Sequence, residues 1–144
     1  MNTSNQELVL LVEDSDIDAD LFQRIFRRLK PTVRLMRSED GIKALETLEQ
    51  FRPDLIIMDI RMPRMGGLEA LAAIKNDQCL KSIPVIMMSS SNDEDDISES
   101  YHRLANAYVV KTFDAREGGK IETLMRFWLE TAVLGVRPSP ASGT

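Results

Sequence analysis

Five short apolar runs punctuate the chain, at residues 8–12, 33–36, 55–58, 84–88 and 107–110. Three of them are continuous rather than alternating, as expected of strands covered on both faces of a parallel sheet. Segments with helical spacing lie between them. Over 16–30, Ile17, Leu21, Ile25 and Leu29 recur every four residues, and Phe22 and Phe26 widen the stripe. Ser15 or Asp16 can cap this helix and Pro31 stops it. A second helix is predicted over 41–51, with Ile42, Leu45 and Leu48 inward and an end before Pro53. A third covers 68–76, entered through Gly66-Gly67. A fourth starts near the acidic cluster 93–96, which suits the positive end of a helix dipole. A fifth runs over 120–134, with Ile121, Leu124, Phe127 or Trp128, and Leu134 on its apolar side.

Strands alternating with helices in this way imply a parallel sheet with helices on both faces and right-handed crossovers. Five strands suit the order 2-1-3-4-5, the flavodoxin-like doubly wound (βα)5 fold of the α/β class. The chain divides into a polar N-terminal tail (1–6), one domain (7–134) and a Pro/Ser-rich, flexible C-terminal tail (135–144).

Composition narrows the function classes. The 144 residues fit one ordinary domain, and 23 acidic against 18 basic residues disfavour nucleic acid as a partner. No apolar run exceeds six residues, against roughly 20 for a membrane span. Residues 1–6 carry no basic-then-apolar leader. The single cysteine, Cys79, has no partner for an internal disulfide, which points to a reducing, cytoplasmic setting. The single histidine, His102, excludes a multi-histidine metal site within one chain.

In such a sheet, ligands bind beyond the carboxyl ends of the strands, where the strand order reverses. Glu13 and Asp14 follow the first run, Asp59 the third, Ser89, Ser90 and Ser91 close the fourth, and Lys111 follows the fifth. With strands one and three adjacent, Glu13, Asp14 and Asp59 fall into one small volume. Three carboxylates there repel one another unless a cation joins them. An oxygen-only donor set is what Mg²⁺ selects. With an ammonium (Lys111) and a hydroxyl (Ser89) alongside, the site suits a tetrahedral phosphoryl group. A carboxylate can itself be the nucleophile, giving an acyl phosphate.

Four stretches carry a family resemblance: Val9-Leu-Leu-Val-Glu-Asp14, Met58-Asp-Ile-Arg-Met-Pro-Arg-Met-Gly-Gly67, Val85-Ile-Met-Met-Ser-Ser90 and Tyr108-Val-Val-Lys111. Together they resemble the receiver (response-regulator) domain of two-component signalling, over residues 7–134. The resemblance implies that Asp59 is the phosphoacceptor. Asp14 would ligate Mg²⁺ directly, Glu13 largely through water, and the backbone carbonyl of Arg61 would be a further ligand. Lys111 would pair with the phosphoryl oxygens, Ser89 would reach them on activation, and Tyr108 would be an aromatic switch. The implied donor is a sensor histidine kinase or a histidine phosphotransfer protein, and the chain is then a switch rather than a turnover enzyme. The side chains of Arg61 and Ser90 would flank the attacking water and tune dephosphorylation.

Two features depart from the family pattern. Thr112 stands where the family has a cis proline after the lysine. A cis non-proline bond costs several kcal/mol, which favours a trans Lys111-Thr112 peptide and a differently shaped loop. The segment Phe127-Trp-Leu-Glu130 resembles stand-alone receivers that partner phytochrome-type histidine kinases. Phe127, Trp128, Leu129, Val133 and Leu134 also exceed what one helix needs to face a small core, which predicts a homodimer interface.

Two other functions fit parts of the sequence. One is a pseudo-receiver that binds partners without phosphorylation. The other is a Mg²⁺-dependent phosphatase with an aspartyl nucleophile, because Asp14-Ser-Asp16 resembles that family's D-x-D start. Ile17 breaks its pattern, and the length leaves no room for a cap domain. A calcium loop from Asp14 to Ile25 fails, with Ala19 and Ile25 where Gly and Glu are needed. His102 lies in no kinase or phosphotransfer sequence, and nothing around Cys79 activates a thiol. Residues 135–144 are too few for a helix-turn-helix module, so the expected output is a protein contact.

Overall fold

A computed structural model describes residues 7–90, 92–111 and 119–131. The elements alternate as β1 (Leu8–Val12), α1 (Asp16–Leu29), β2 (Arg34–Ser38), α2 (Gly41–Leu48), β3 (Leu55–Met58), α3 (Gly67–Lys75), β4 (Val85–Ser89), α4 (Glu94–His102), β5 (Ala107–Val110) and α5 (Gly119–Arg126), with a π-helical turn, Phe127–Thr131, after α5. All strand pairs are parallel and the order is β2-β1-β3-β4-β5, as the alternation predicts. β1 and β3 therefore lie side by side, with Val12 opposite Met58.

The pleat sorts the continuous apolar runs onto two faces. Val9 and Leu11 of β1, Leu55 and Ile57 of β3, and Ile86 and Met88 of β4 pack against α1 and α5. The alternate residues Leu10, Val12, Ile56, Met58, Val85 and Met87 pack against α2 and α3. No alternation of polarity is needed when both faces are dry. Among the described residues, no helix is long and apolar enough to cross a membrane.

Several boundaries and faces differ from expectation, each for a local reason. β2 spans Arg34–Ser38 rather than 33–36, because parallel pairing with β1 runs from Leu8↔Arg34 to Val12↔Ser38. In α1 the seam runs through Ala19, Phe22, Ile25 and Phe26, with the two phenylalanine rings 6.0 Å apart, while Ile17 is 74% exposed. The bulky rings set the rotation of the helix, and Ile17 lies on the opposite side from them. α2 ends at Leu48, and residues 49–51 continue as turns bonded back to Glu46 and Thr47. Its core face is Gly41, Ala44 and Leu48, leaving Ile42 exposed. That phase follows from Gly41, which donates its N–H to the Met65 carbonyl and has Met65 packed where a Cβ would stand. The expected cap Ser15 accepts from Asp18 N–H, and at the acidic start of α4 Asp93 caps by accepting from Asp95 N–H. The predicted fifth helix becomes an α-helix to Arg126 and then the π-helical turn. Val133, Leu134, both tails and Thr112 of the Lys111-Thr112 peptide lie outside the described residues.

One glycine bears directly on the position of Asp59. Gly67 donates its N–H to the Ile60 carbonyl (2.8 Å), and a Cβ on Gly67 would overlap the Asp59 carbonyl. The turn after β3 thus brings α3 back against the backbone of Asp59. Gly67→Ala is expected to destabilise the protein by about 1–3 kcal/mol, because a rigid backbone atom occupies the new methyl's space. Urea unfolding followed by circular dichroism checks it, and an unchanged midpoint would disprove the contact.

Candidate functional site

The site grows out of the carboxyl ends of β1, β3, β4 and β5. Beyond β1, Glu13 donates its N–H to the Ser38 carbonyl (3.0 Å) and stays in the sheet plane for one further residue. Its side chain is 2% exposed. The chain then turns into α1, with Ser15 N–H donating to Glu13 Oε2 (3.1 Å), and Asp14 is left exposed at the rim. Beyond β3, Asp59 donates its N–H to the Val12 carbonyl (3.0 Å), and its Oδ1 accepts from Ile60 N–H (2.8 Å). Adjacent strand ends thus hold three acids together. Carboxylate oxygens of Glu13, Asp14 and Asp59 all lie within 4.8 Å of one another.

Lys111 enters from β5. Its N–H donates to the Ser89 carbonyl (2.6 Å), which fixes the root of the side chain against β4. The ammonium donates to Glu13 Oε1 (2.6 Å), Asp18 Oδ2 (2.9 Å) and Asp59 Oδ2 (3.4 Å), with the side chain 7% exposed. Ser89 closes β4 opposite Val110 and is buried. Tyr108 is half-buried against the α2/α3 side of the core, and its N–H donates to the Tyr101 hydroxyl (3.0 Å).

The electrostatics of the cluster point one way. Burial raises the Glu13 carboxyl to about 7, opposed by its bond to Lys111 and reinforced by the charge of Asp59. Burial pulls Lys111 down, but its bonds to Glu13 and Asp18 and the charge of Asp59 outweigh it and raise the ammonium above its ordinary value. Burial of a carboxyl and the acids around the ammonium thus both favour bound protons and cations over bare charge. Oxygen-only donors, with no thiol or imidazole, suit a hard divalent cation with remaining positions filled by water.

Loops around the site are tied down by arginines. Arg37 of β2 donates Nε (3.0 Å) and Nη2 (2.8 Å) to the Glu13 backbone carbonyl, and Nη1 to Asp16 Oδ1 (2.9 Å). Arg64, at φ 64°, pairs with the fully buried Asp40, the N-cap of α2. The Lys43 N–H holds the Asp40 carboxyl below its ordinary range, and Arg64 adds to that. Arg61, two residues beyond Asp59, sends its guanidinium to Asp96 Oδ2 in the first turn of α4 (2.7 Å).

The structure brings together every acid and the lysine singled out in the sequence. Ser89 sits at the neighbouring strand tip, and Tyr108 stands further back on β5. Ser90 is exposed just past β4, and Ser91 lies outside the described residues. His102, at the exposed end of α4, and Cys79, exposed after α3, lie outside the cluster. Sequence reasoning missed Asp18, Arg37 and Asp40. Asp18 carried one usable signal: it stands four residues after Asp14 at a helix start, a spacing that returns a side chain to the same end of the helix. Arg37 acts across elements distant in sequence and left no local signal; Asp40, directly before Gly41, is an N-cap legible from the sequence, but its pair with Arg64 is not.

Comparison with known proteins agrees with this geometry. Residues 9–121 match the response regulator receiver domain. The chain is 35% identical over 136 residues to the response regulator Rcp1 of Synechocystis sp., covering 89% of this chain and 92% of that protein. The crystal structure of the phosphorylated cyanobacterial phytochrome response regulator RcpA superposes with a TM-score of 0.86 at 34% identity, covering 91% of this chain and 99% of that one. The Mn²⁺-bound form of Rcp1 superposes with a TM-score of 0.83 at 34% identity, covering 90% and 99%. With the fold and a family match over residues 9–121, the chain belongs to the response regulator receiver family, the phosphoacceptor modules that histidine kinases address in two-component signalling.

Proposed function

We propose that Asp59 is the phosphoacceptor of a cytoplasmic switch formed by residues 7–134, served by a sensor histidine kinase or a histidine phosphotransfer protein and dependent on Mg²⁺. The observation that carries this reading is the meeting of Glu13, Asp14 and Asp59 within 4.8 Å, with Lys111 bonded among them. Glu13, Asp14, Asp59 and the backbone carbonyl of Arg61 are the residues suited to hold the ion. When bound, the cation neutralises charge on the oxygens of the transferring phosphoryl group. Asp59 Oδ1 is engaged by Ile60 N–H, and Oδ2 faces Lys111, so Oδ2 is the attacking atom. Lys111 then pairs with a phosphoryl oxygen, and Ser89 and Tyr108 respond as the switch residues. The product is a modified switch, and the chain does not turn over substrate as an enzyme does.

The likeness to Rcp1 and RcpA favours a phytochrome-type kinase as donor. Phe127, 50% exposed beside Trp128, favours a second copy docking on the C-terminal helical region. The phosphatase reading loses ground because Asp16, its required second acid, turns outward to Arg37.

Acetyl phosphate with Mg²⁺ is expected to label the protein once, shifting its mobility on a Phos-tag gel, and Asp59→Asn is expected to abolish the label. Unchanged labelling of that variant would disprove the acceptor assignment.

Metal binding is expected to depend on pH. A carboxyl raised to about 7 contributes stability below its ordinary value of 4.5, and that contribution is lost as pH rises through 7. The cation needs Glu13 ionised, so protons compete with it. Apparent Mg²⁺ affinity should fall about ten-fold from about pH 8 to about pH 6. The stabilisation by Mg²⁺ in thermal melts should shrink in parallel. Titration calorimetry at the two pH values checks the affinity.

A further inference from the structure

We infer that Asp18 is a positioning residue that parks Lys111 away from the acceptor in the resting protein and so slows phosphorylation of Asp59. The inference rests on the proposed role of Asp59 and adds a restraint on the same site.

Three observations carry it. First, the ammonium is not centred on the acceptor. It lies 2.6 Å from Glu13 and 2.9 Å from Asp18, but 3.4 Å from Asp59 Oδ2. Second, Asp18 is fixed where it stands. It lies in the first turn of α1, and its N–H is bound by the capping Ser15 hydroxyl (3.2 Å). Its carboxylate is 31% exposed, so it stands on the open side of Lys111 while Glu13 lies on the buried side. Third, the charges do not balance with it present. Glu13, Asp14, Asp18 and Asp59 place four carboxylates around one ammonium. A divalent cation still leaves the pocket one charge negative when all four are ionised, and Asp18 is the acid outside the metal cluster. An incoming phosphoryl dianion therefore meets a surplus charge and a lysine already engaged.

In the reaction, Asp59 Oδ2 attacks phosphorus while the bond from phosphorus to the acetate oxygen of acetyl phosphate breaks. The electron pair leaves with acetate, and no proton changes hands. The new phosphoryl group needs Lys111, and the Lys111–Asp18 bond must open to release it. Removing that bond removes a step's worth of competition without touching the acceptor or its ligands.

The test is the rate of labelling by acetyl phosphate at saturating Mg²⁺, followed on Phos-tag gels. Three variants of the full chain are compared with the parent. Asp18→Asn is expected to label about three- to ten-fold faster. Asp18→Glu, which restores the carboxylate, is expected to return the rate toward the parent. Asp20→Asn removes the same charge from the same helix, where its partner is Arg24, and is expected to stay within about two-fold of the parent. An Asp18→Asn rate equal to or slower than the parent would overturn the inference. Equal acceleration in Asp20→Asn would also overturn it, because net charge alone would then explain the effect. A parent protein that takes no label at all would remove the acceptor reading, and this inference with it.

Discussion

The ammonium of Lys111 is the contact around which the functional end of the molecule is arranged. It bonds Glu13, Asp18 and Asp59, which reach it from three different elements, and its own backbone is pinned to Ser89 on a fourth. Without a cation, acids this close would not all ionise together; burial raises the Glu13 carboxyl, and the charge of Asp59 adds to it. The site is thus built in a charge state that favours a divalent ion.

That arrangement depends on the sheet beneath it. A parallel strand order with β1 beside β3 brings two acid-bearing strand ends together on one edge. Two dry faces then hold the strands rigid, with Phe22 and Phe26 stacked on one side and Ile74 and Leu71 buried on the other. Side chains on such a base keep their geometry without support from a ligand. The loops above it need extra restraint, and charged residues from distant parts of the chain supply it. Arg37 grips the Glu13 carbonyl, Arg64 reaches the buried Asp40, and Arg61 links the loop after Asp59 to Asp96 of α4. α4 buries only Ser100 fully, so the Arg61–Asp96 pair ties the site to the least anchored of the helices between β1 and β5.

How far the sequence could be read follows from which forces are local. Continuous apolar runs of four or five residues specify buried parallel strands, and the helix caps at Ser15 and Asp93 follow from side chains that bind their own backbone. The positions of Glu13, Asp14, Asp59 and Lys111 at strand ends were equally legible, because a strand end is marked by where its apolar run stops. The rotation of each helix was less so. Ile17 and Ile42 fit the sequence stripe, yet both face solvent. Bulk decided α1, where the phenylalanine rings take the core, and a tertiary contact decided α2, where Met65 backs onto Gly41.

The sequence by itself therefore indicated the class of fold, the strand order and the chemistry of the acidic site, since the alternation of apolar runs with helical stripes, and the acids where those runs stop, can be read along the chain. Only the tertiary structure decided which atoms Lys111 touches. Asp18 is 93 residues away from it, and no pattern along the chain couples the two. The same holds for Arg37 with Glu13, and for Asp40 with Arg64. Charged side chains are long, and each bond they make depends on the relative placement of two elements fixed by the packed sheet.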